Sequence, residues 1–205
     1  MRGSVPAARL HAVEVVLARH GETEWSRSGK HTGRTDVPLT EAGIRHAEAL
    51  RPRLEGRSFA AVFTSPMSRA AETCRLAGLG DAARQREELF EWDYGKYEGV
   101  TTPEIRERQP GWLLWRDGCP GGETAAEVGA RVDRLIAELR RLDGDVALFA
   151  HGHVLRVLGA RWVELPPEAG SALYLSTATL GVLGYEREVS VIRLWNDGCH
   201  LDGKL

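Results

Sequence analysis

The chain has few cysteines, no long apolar run and almost no net charge, and each scarcity argues against a class of protein. Its 205 residues contain three cysteines, widely spaced and without a CxxC pair. This usage argues against a disulfide-stapled scaffold and indicates a reducing, cytoplasmic location. The formal net charge is −2, so no overall basic field favours nucleic acid or an anionic membrane as a partner.

Signals of targeting and of cofactor binding are equally scarce. No apolar run approaches the length that spans a bilayer, and the N-terminus lacks the apolar core of a signal peptide. No glycine-rich nucleotide-binding loop follows a predicted strand. The spacing of His151, His153, Cys199 and His200 fits no standard zinc site, so we expect neither a metal nor a cofactor.

The length of the chain is sufficient for one domain with a substantial core. We predict a flexible leader over residues 1–12 and a single domain over residues 13–205. The sequence leaves the oligomeric state open between a monomer and a homodimer.

Short apolar runs alternate with amphipathic stretches along the chain. Residues 13–18, 60–64 and 145–150 are predicted to be buried strands, and residues 178–185 and 189–195 a final pair of strands. Alternation of this kind is typical of α/β proteins. The sequence therefore predicts a three-layer α/β/α sandwich with a mainly parallel central sheet.

Local capping signals predict where the helices begin. Residues 20–39 read as a long loop, after which Thr40 caps a helix that continues to about residue 54. Ser65 and Pro66 have the residue types preferred at the N-cap and first position of the next helix. Two further helices follow capping boxes, and a last one is predicted over residues 154–163. The boxes pair Thr101 with Glu104 and Thr124 with Glu127.

Polar side chains follow each of the three predicted parallel strands. Arg19 and His20 follow the first strand, the segment from Ser65 to Arg69 follows the second, and His151 follows the third. Because parallel strands bring their carboxyl ends to one rim, these groups should converge there. Arginine binds phosphate through two parallel hydrogen bonds, so the rim is predicted to bind a phosphoryl group.

A phosphoryl transfer also needs a proton donor for the leaving oxygen. Glu91 lies in the aromatic-rich segment 90–94, where partial burial suits a carboxylic acid to that task. Glu91 is therefore the candidate general acid.

The motifs occur in an order that resembles the histidine phosphatase superfamily, the phosphoglycerate mutase-like group. The matching segments are 19–23, 32–33, 64–69, 91–95, 120–124 and 151–152. The resemblance implies that His20 is the nucleophile that becomes phosphohistidine, that Glu91 is the general acid and then the base, and that three residues hold the phosphoryl group. Those three are Arg19, Arg69 and His151.

The resemblance also suggests residues that contact the substrate. Ser26 stands where many relatives have an asparagine that touches phosphate, and Thr32 and Gly33 belong to a matching segment. His153 directly follows the second His-Gly pair, where cofactor-dependent phosphoglycerate mutases carry asparagine. These four residues are candidate substrate-binding residues.

Two departures from the mutases favour a phosphatase. The region 99–120 is compact where those mutases carry an insertion, and His153 replaces their asparagine. Several segments resemble the branch that holds sedoheptulose-1,7-bisphosphatase and an actinobacterial acid phosphatase. We therefore expect a phosphomonoester hydrolase for a small phosphorylated metabolite, a sugar phosphate or bisphosphate. The alternatives are a cofactor-dependent phosphoglycerate mutase and, less favoured, a non-catalytic module that binds phosphorylated ligands.

Overall fold

The computed structural model describes residues 13–201, so the predicted leader and the last four residues of the predicted domain lie outside the described range. A six-stranded sheet forms the middle layer, in the order β3-β2-β4-β1-β5-β6. The first four strands in chain order run parallel, and β5 and β6 are antiparallel. The strands are β1 (Val15–Arg19), β2 (Ala61–Thr64), β3 (Ala83–Gln85), β4 (Val146–Ala150), β5 (Leu180–Glu186) and β6 (Val189–Asp197).

Helices cover both faces of the sheet, which confirms the predicted three-layer fold. They are α1 (Glu24–Ser28), α2 (Glu41–Glu48), α3 (Arg51–Leu54), α4 (Ser68–Leu76), α5 (Thr102–Arg108), α6 (Leu114–Asp117), α7 (Ala125–Leu139) and α8 (Gly152–Trp162). Among the described residues, no helix is long and apolar enough to cross a membrane.

Alternation along the central strands divides the core into two halves. In β1, Val15 and Leu17 pack with residues of α7 and α8, whereas Val16 and Ala18 pack with residues of α3 and α4. This follows from the strand geometry, because successive side chains point to opposite faces of a sheet. Both faces of the central strands are thereby buried, as their apolar sequence predicts.

The register of the central strands brings three chain segments to one rim. Arg19 pairs with Ala150 at the ends of β1 and β4, and Thr64 pairs with Phe149 between β2 and β4. The residues that follow these strands, His20, Ser65 and His151, therefore stand side by side. The predicted convergence at the carboxyl edge of the sheet is confirmed.

The capping boxes at Thr101 and Thr124 are present as predicted, but the loop assigned to residues 20–39 is wrong in part. That segment contains α1, whose own capping box joins Thr23 and Ser26. A serine in place of the usual Glu or Gln makes this signal easy to overlook.

The helix predicted over residues 41–54 ends at Glu48, and α3 forms a separate turn. Pro52 lies in that turn and lacks the backbone N–H that a continuous helix would need.

The helix start predicted at Ser65 is also wrong, because Met67 is the N-cap of α4. Ser65 is instead fully buried, and its hydroxyl contacts a histidine of the site. The short strand β3 was not predicted. Its three residues are half-buried or exposed at the edge of the sheet, so they carry no apolar pattern.

Candidate active site

A cavity of about 270 Å³ opens at the rim of the sheet. Six of the nine predicted site residues line it, whereas Arg69, His151 and Gly33 are not among its lining residues. The six are Arg19, His20, Ser26, Thr32, Glu91 and His153. The cavity lies at the carboxyl edge of the parallel strands, where α/β proteins bind ligands. Its small volume suits a metabolite rather than a polymer.

The imidazole of His20 is oriented with one nitrogen available. Its Nδ1 lies 2.7 Å from the carbonyl oxygen of Gly21, and a carbonyl only accepts, so Nδ1 carries the proton in this contact. Nε2 therefore keeps a lone pair. Burial and the nearby charges of Arg19 and Arg69 hold the pKa of His20 well below its ordinary value. The neutral, nucleophilic form is thus favoured.

A close approach of two backbones holds the turn after His20. A Cβ atom built on Gly21 would lie 2.4 Å from the carbonyl oxygen of Gly43 in α2. The Gly21 N–H also donates to the hydroxyl of Thr73 in α4, at 3.0 Å. Only glycine allows this contact, so the turn that carries His20 is locked against two helices.

The guanidinium of Arg19 has an unsatisfied donor. Its Nη1 donates to the Leu175 carbonyl at 2.6 Å, whereas the buried Nε has no hydrogen-bond partner within residues 13–201. A buried N–H without an acceptor is costly and uncommon. An oxygen of an anion bound in the cavity would satisfy it.

His151 is held in one tautomer by its two neighbours. Its Nδ1 accepts from Nε of Arg69 at 3.1 Å, and its Nε2 lies 2.8 Å from the Ser65 hydroxyl oxygen. Because the arginine can only donate, the proton of neutral His151 resides on Nε2. The rings of His151 and His20 lie 5.1 Å apart between centroids. His151 therefore borders His20 with its orientation fixed.

Arg69 is fully buried and acts from behind the cavity lining. Besides its bond to His151, its guanidinium donates to the carbonyls of Thr32, Gly33 and Thr35 at 3.0–3.1 Å. Four of its five N–H groups are thus used within the protein. Arg69 supplies positive charge next to His20 and fixes both His151 and the segment 32–35.

Glu91 is nearly buried, and its carboxyl accepts three backbone N–H groups. Oε1 accepts from Trp92 and Val154, each at 2.9 Å, and Oε2 accepts from His153 at 3.0 Å. Two of these donors belong to the first turn of α8, so Glu91 caps that helix from a distant part of the chain. Three of the four lone-pair positions are filled, which leaves one on Oε2 to carry a transferable proton.

The remaining predicted residues differ in what they offer to a ligand. The Ser26 hydroxyl is used in the cap of α1, and the Thr32 hydroxyl donates to the carbonyl of Lys30. Both line the cavity, but with their hydroxyls engaged. The N–H of Gly33 donates to the Glu98 carboxylate, and a Cβ there would lie 2.7 Å from the Trp92 carbonyl oxygen. Gly33 thus has a packing role.

Nine of the fifteen residues that line the cavity were not among the predicted site residues, and three of these nine are Tyr94, Arg156 and Tyr174. Arg156 had a usable signal, because it follows His153 by three positions in one helix and therefore shares its face. Tyr174 had none, since it lies in a segment without regular structure, close to Arg19 only through the fold. Among the described residues, no group of three or more His, Cys, Asp or Glu side chains is arranged to hold a metal ion.

Comparison with known families identifies the class of protein to which this fold and this site belong. The sequence model of the family described as Histidine phosphatase superfamily (branch 1) matches residues 15–198 of this chain. The chain therefore belongs to the histidine phosphatase superfamily.

Its relatives include both phosphatases and phosphoglycerate mutases. The chain is 44% identical over 188 residues to the acid phosphatase of Mycobacterium tuberculosis, covering 88% of this chain and 92% of that protein. It is 38% identical over 182 residues to sedoheptulose 1,7-bisphosphatase of Saccharomyces cerevisiae, covering 73% and 67%. A phosphoglycerate mutase of Mesorhizobium japonicum, dependent on 2,3-bisphosphoglycerate, is 36% identical over 163 residues, covering 70% and 78%.

A solved structure agrees with this assignment. The structure of the open reading frame Rv3214 from Mycobacterium tuberculosis superposes with a TM-score of 0.84 at 42% identity, covering 90% of this chain and 97% of that one. The chain is an enzyme of the phosphatase class within the histidine phosphatase superfamily.

Proposed function

We propose that the enzyme hydrolyses a small phosphomonoester, a sugar phosphate or bisphosphate, through a phosphohistidine at His20. The observation that carries this proposal is the state of the His20 ring. Its Nδ1 donates to the Gly21 carbonyl, its Nε2 makes no hydrogen bond within residues 13–201, and burial and the neighbouring arginines favour the neutral form. A neutral imidazole with one free nitrogen, beside the unsatisfied Nε of Arg19, suits attack on a phosphoryl group.

In the first step, the lone pair of His20 Nε2 forms a bond to phosphorus while the bond from phosphorus to the ester oxygen breaks. The proton on Glu91 Oε2 moves to the leaving oxygen, so the product departs as an alcohol. Arg19 Nε and the charge of Arg69 stabilise the negative charge on the transferred phosphoryl oxygens.

In the second step, a water oxygen attacks phosphorus and the bond from phosphorus to Nε2 breaks. Glu91, now a carboxylate, takes a proton from that water, which restores its acid form for the next cycle. The products are an alcohol and inorganic phosphate, and His20 is regenerated. Division into two displacements avoids one more difficult direct hydrolysis.

The substrate class is supported by the relatives and by the size of the cavity. One relative is named for a sugar bisphosphate, and a cavity of about 270 Å³ suits a small metabolite. A screen for released phosphate should cover sugar mono- and bisphosphates, phosphoglycerates and nucleotides. Strong preference for nucleotides would contradict the sugar phosphate assignment.

The nucleophile is tested by His20→Ala, with His46→Ala as the matched control, because His46 lies on α2 and is not among the cavity-lining residues. His20→Ala should lose nearly all turnover and keep its far-ultraviolet circular dichroism, whereas His46→Ala should retain turnover. Rapid quench of the wild type with labelled substrate should trap a phosphoprotein that is labile in acid and stable in base. An acid-stable phosphoester on a serine or threonine would refute the proposal.

A further inference from the structure

We propose that His153 and Arg156, on one face of α8, form a second subsite in the same cavity, which binds a further phosphate or carboxylate on the leaving group. The proposal rests on the phosphatase function proposed above and specifies its substrate class: monoesters whose alcohol portion is itself acidic. The two residues are three positions apart and both line the cavity, as neighbours on a helical face do.

The Arg156 guanidinium is held rigidly and keeps one nitrogen free. Nε and Nη2 donate to the carbonyls of Gly170 and Ser171, each at 3.0 Å, and the group lies 4.7 Å from the centre of the Trp115 ring. Within residues 13–201, Nη1 makes no hydrogen bond. A cation fixed in this way loses little conformational freedom when it binds an anion.

The cavity is lined by more positive charge than a bound phosphoryl group requires. Among the fifteen lining residues, the cations are Arg19, Lys30 and Arg156, and the carboxylate is Glu91. When Glu91 carries the proton for the leaving oxygen, a phosphoryl dianion balances two of the three cations. One positive charge is left for another acidic group of the substrate.

Tyr94 makes His153 a hydrogen-bond donor. The Tyr94 hydroxyl oxygen lies 2.6 Å from Nδ1 of His153, its closest hydrogen-bond partner among the described residues. Burial raises the pKa of Tyr94 well above its ordinary value, so the phenol keeps its proton and donates it to Nδ1. Burial and Arg156 lower the pKa of His153, so the ring is neutral with its proton on Nε2.

His153 and Arg156 therefore offer donors and no acceptor to a ligand. A hydroxyl group would leave part of this set unused, whereas a carboxylate or phosphate supplies oxygens for both and balances the charge. The expected substrate carries its second acid within reach of the first turns of α8.

The test compares substrates that differ by one acidic group. One pair is 3-phosphoglycerate and glycerol 3-phosphate, in which a carboxylate replaces a hydroxymethyl group. The other is fructose 1,6-bisphosphate against its two monophosphates, which probes a second phosphate. In the wild type, kcat/KM should favour the doubly acidic member of at least one pair by about tenfold or more, the scale of one charged hydrogen bond.

Arg156→Gln should reduce that preference by about 10- to 100-fold. Arg156→Lys should retain more of the preference than Arg156→Gln, since lysine keeps the positive charge but lacks the planar set of N–H donors of a guanidinium group. Arg134→Gln, on the exposed surface of α7, is the control and should leave the preference unchanged. Thermal unfolding of each variant checks the Pro167–Ala172 turn that Arg156 anchors.

Tyr94→Phe tests the donor role of His153. In the wild type, nitrogen-15 NMR should show His153 with Nε2 protonated, and in the variant a mixture of both tautomers with a smaller preference for the doubly acidic substrate. Unchanged preference in folded Arg156→Gln would overturn the subsite while leaving the phosphatase function intact. Absence of phosphohistidine in the wild type would instead overturn the proposed function.

Discussion

Replacement of Glu91 by glutamine distinguishes the proton donor from the helix cap that the same carboxyl provides. In the variant, the amide oxygen can still accept from Trp92 and Val154, as Oε1 does now. The amide nitrogen then faces the N–H of His153, where Oε2 accepts at 3.0 Å. One buried hydrogen bond is lost and two donors meet, which should lower the free energy of unfolding by roughly 1–3 kcal/mol.

The effect on catalysis should depend on the leaving group. With a sugar phosphate, the alcohol leaves as a strong base unless it is protonated, so Glu91→Gln should slow turnover on the order of 10²–10⁴-fold. With p-nitrophenyl phosphate, the leaving group is stable as an anion, and the loss should be much smaller. A plot of log kcat/KM against the pKa of the leaving alcohol should therefore be steeper in the variant than in the wild type.

The matched control is Glu127→Gln, which removes another helix-capping carboxylate, at the start of α7 and outside the cavity lining. Glu127→Gln should change the free energy of unfolding without changing how kcat/KM depends on the leaving group. Equal slowing of both substrates by Glu91→Gln would show that Glu91 binds or supports the site, and His153 would become the next candidate for the proton donor.

Three further results are expected. Burial lowers the pKa of His31 from 6.5 to about 4, so between these values this residue is protonated more in the unfolded chain than in the folded one. His31 should therefore contribute roughly 3 kcal/mol to the fall in the free energy of unfolding as the pH drops from 6.5 to 4, and urea titrations of His31→Gln should show a fall that is smaller by about this amount. Activity should persist in EDTA, because Arg19 and Arg69 supply the positive charge that the transferred phosphoryl group needs. Full loss restored by Zn²⁺ or Mg²⁺ would contradict this. With 3-phosphoglycerate and catalytic 2,3-bisphosphoglycerate, formation of 2-phosphoglycerate should be far slower than the best phosphatase rate, and comparable rates would favour the mutase alternative.

The sequence was sufficient for the parts of the fold that depend on strong periodicity. The buried strands before His20 and His151 are runs of apolar residues, and their parallel arrangement follows from the intervening helices. The capping boxes at Thr101 and Thr124 rest on a hydrogen-bond pattern that is local in the chain. Such features depend on residues close together, and so a single sequence reveals them.

Other parts depend on contacts between distant segments. The choice of Met67 rather than Ser65 as a helix cap follows from the contact of Ser65 with His151, 86 residues away. The cap that Glu91 provides to α8 joins residues more than 60 positions apart. No local pattern contains these partners, although the aromatic neighbours of Glu91 did indicate that its surroundings are buried.

The close contact between Gly21 and Gly43 has a consequence for how this enzyme can change. A Cβ on Gly43 would lie 2.1 Å from the Glu22 carbonyl oxygen, so neither glycine position tolerates variation and the turn that carries His20 keeps one conformation. Lys30, Thr102 and Tyr174 line the same cavity but none of them is buried, and Tyr174 is 68% exposed. Libraries at these three positions should therefore shift substrate range at little expense in stability. The chemistry and the selectivity of this enzyme can thus evolve separately.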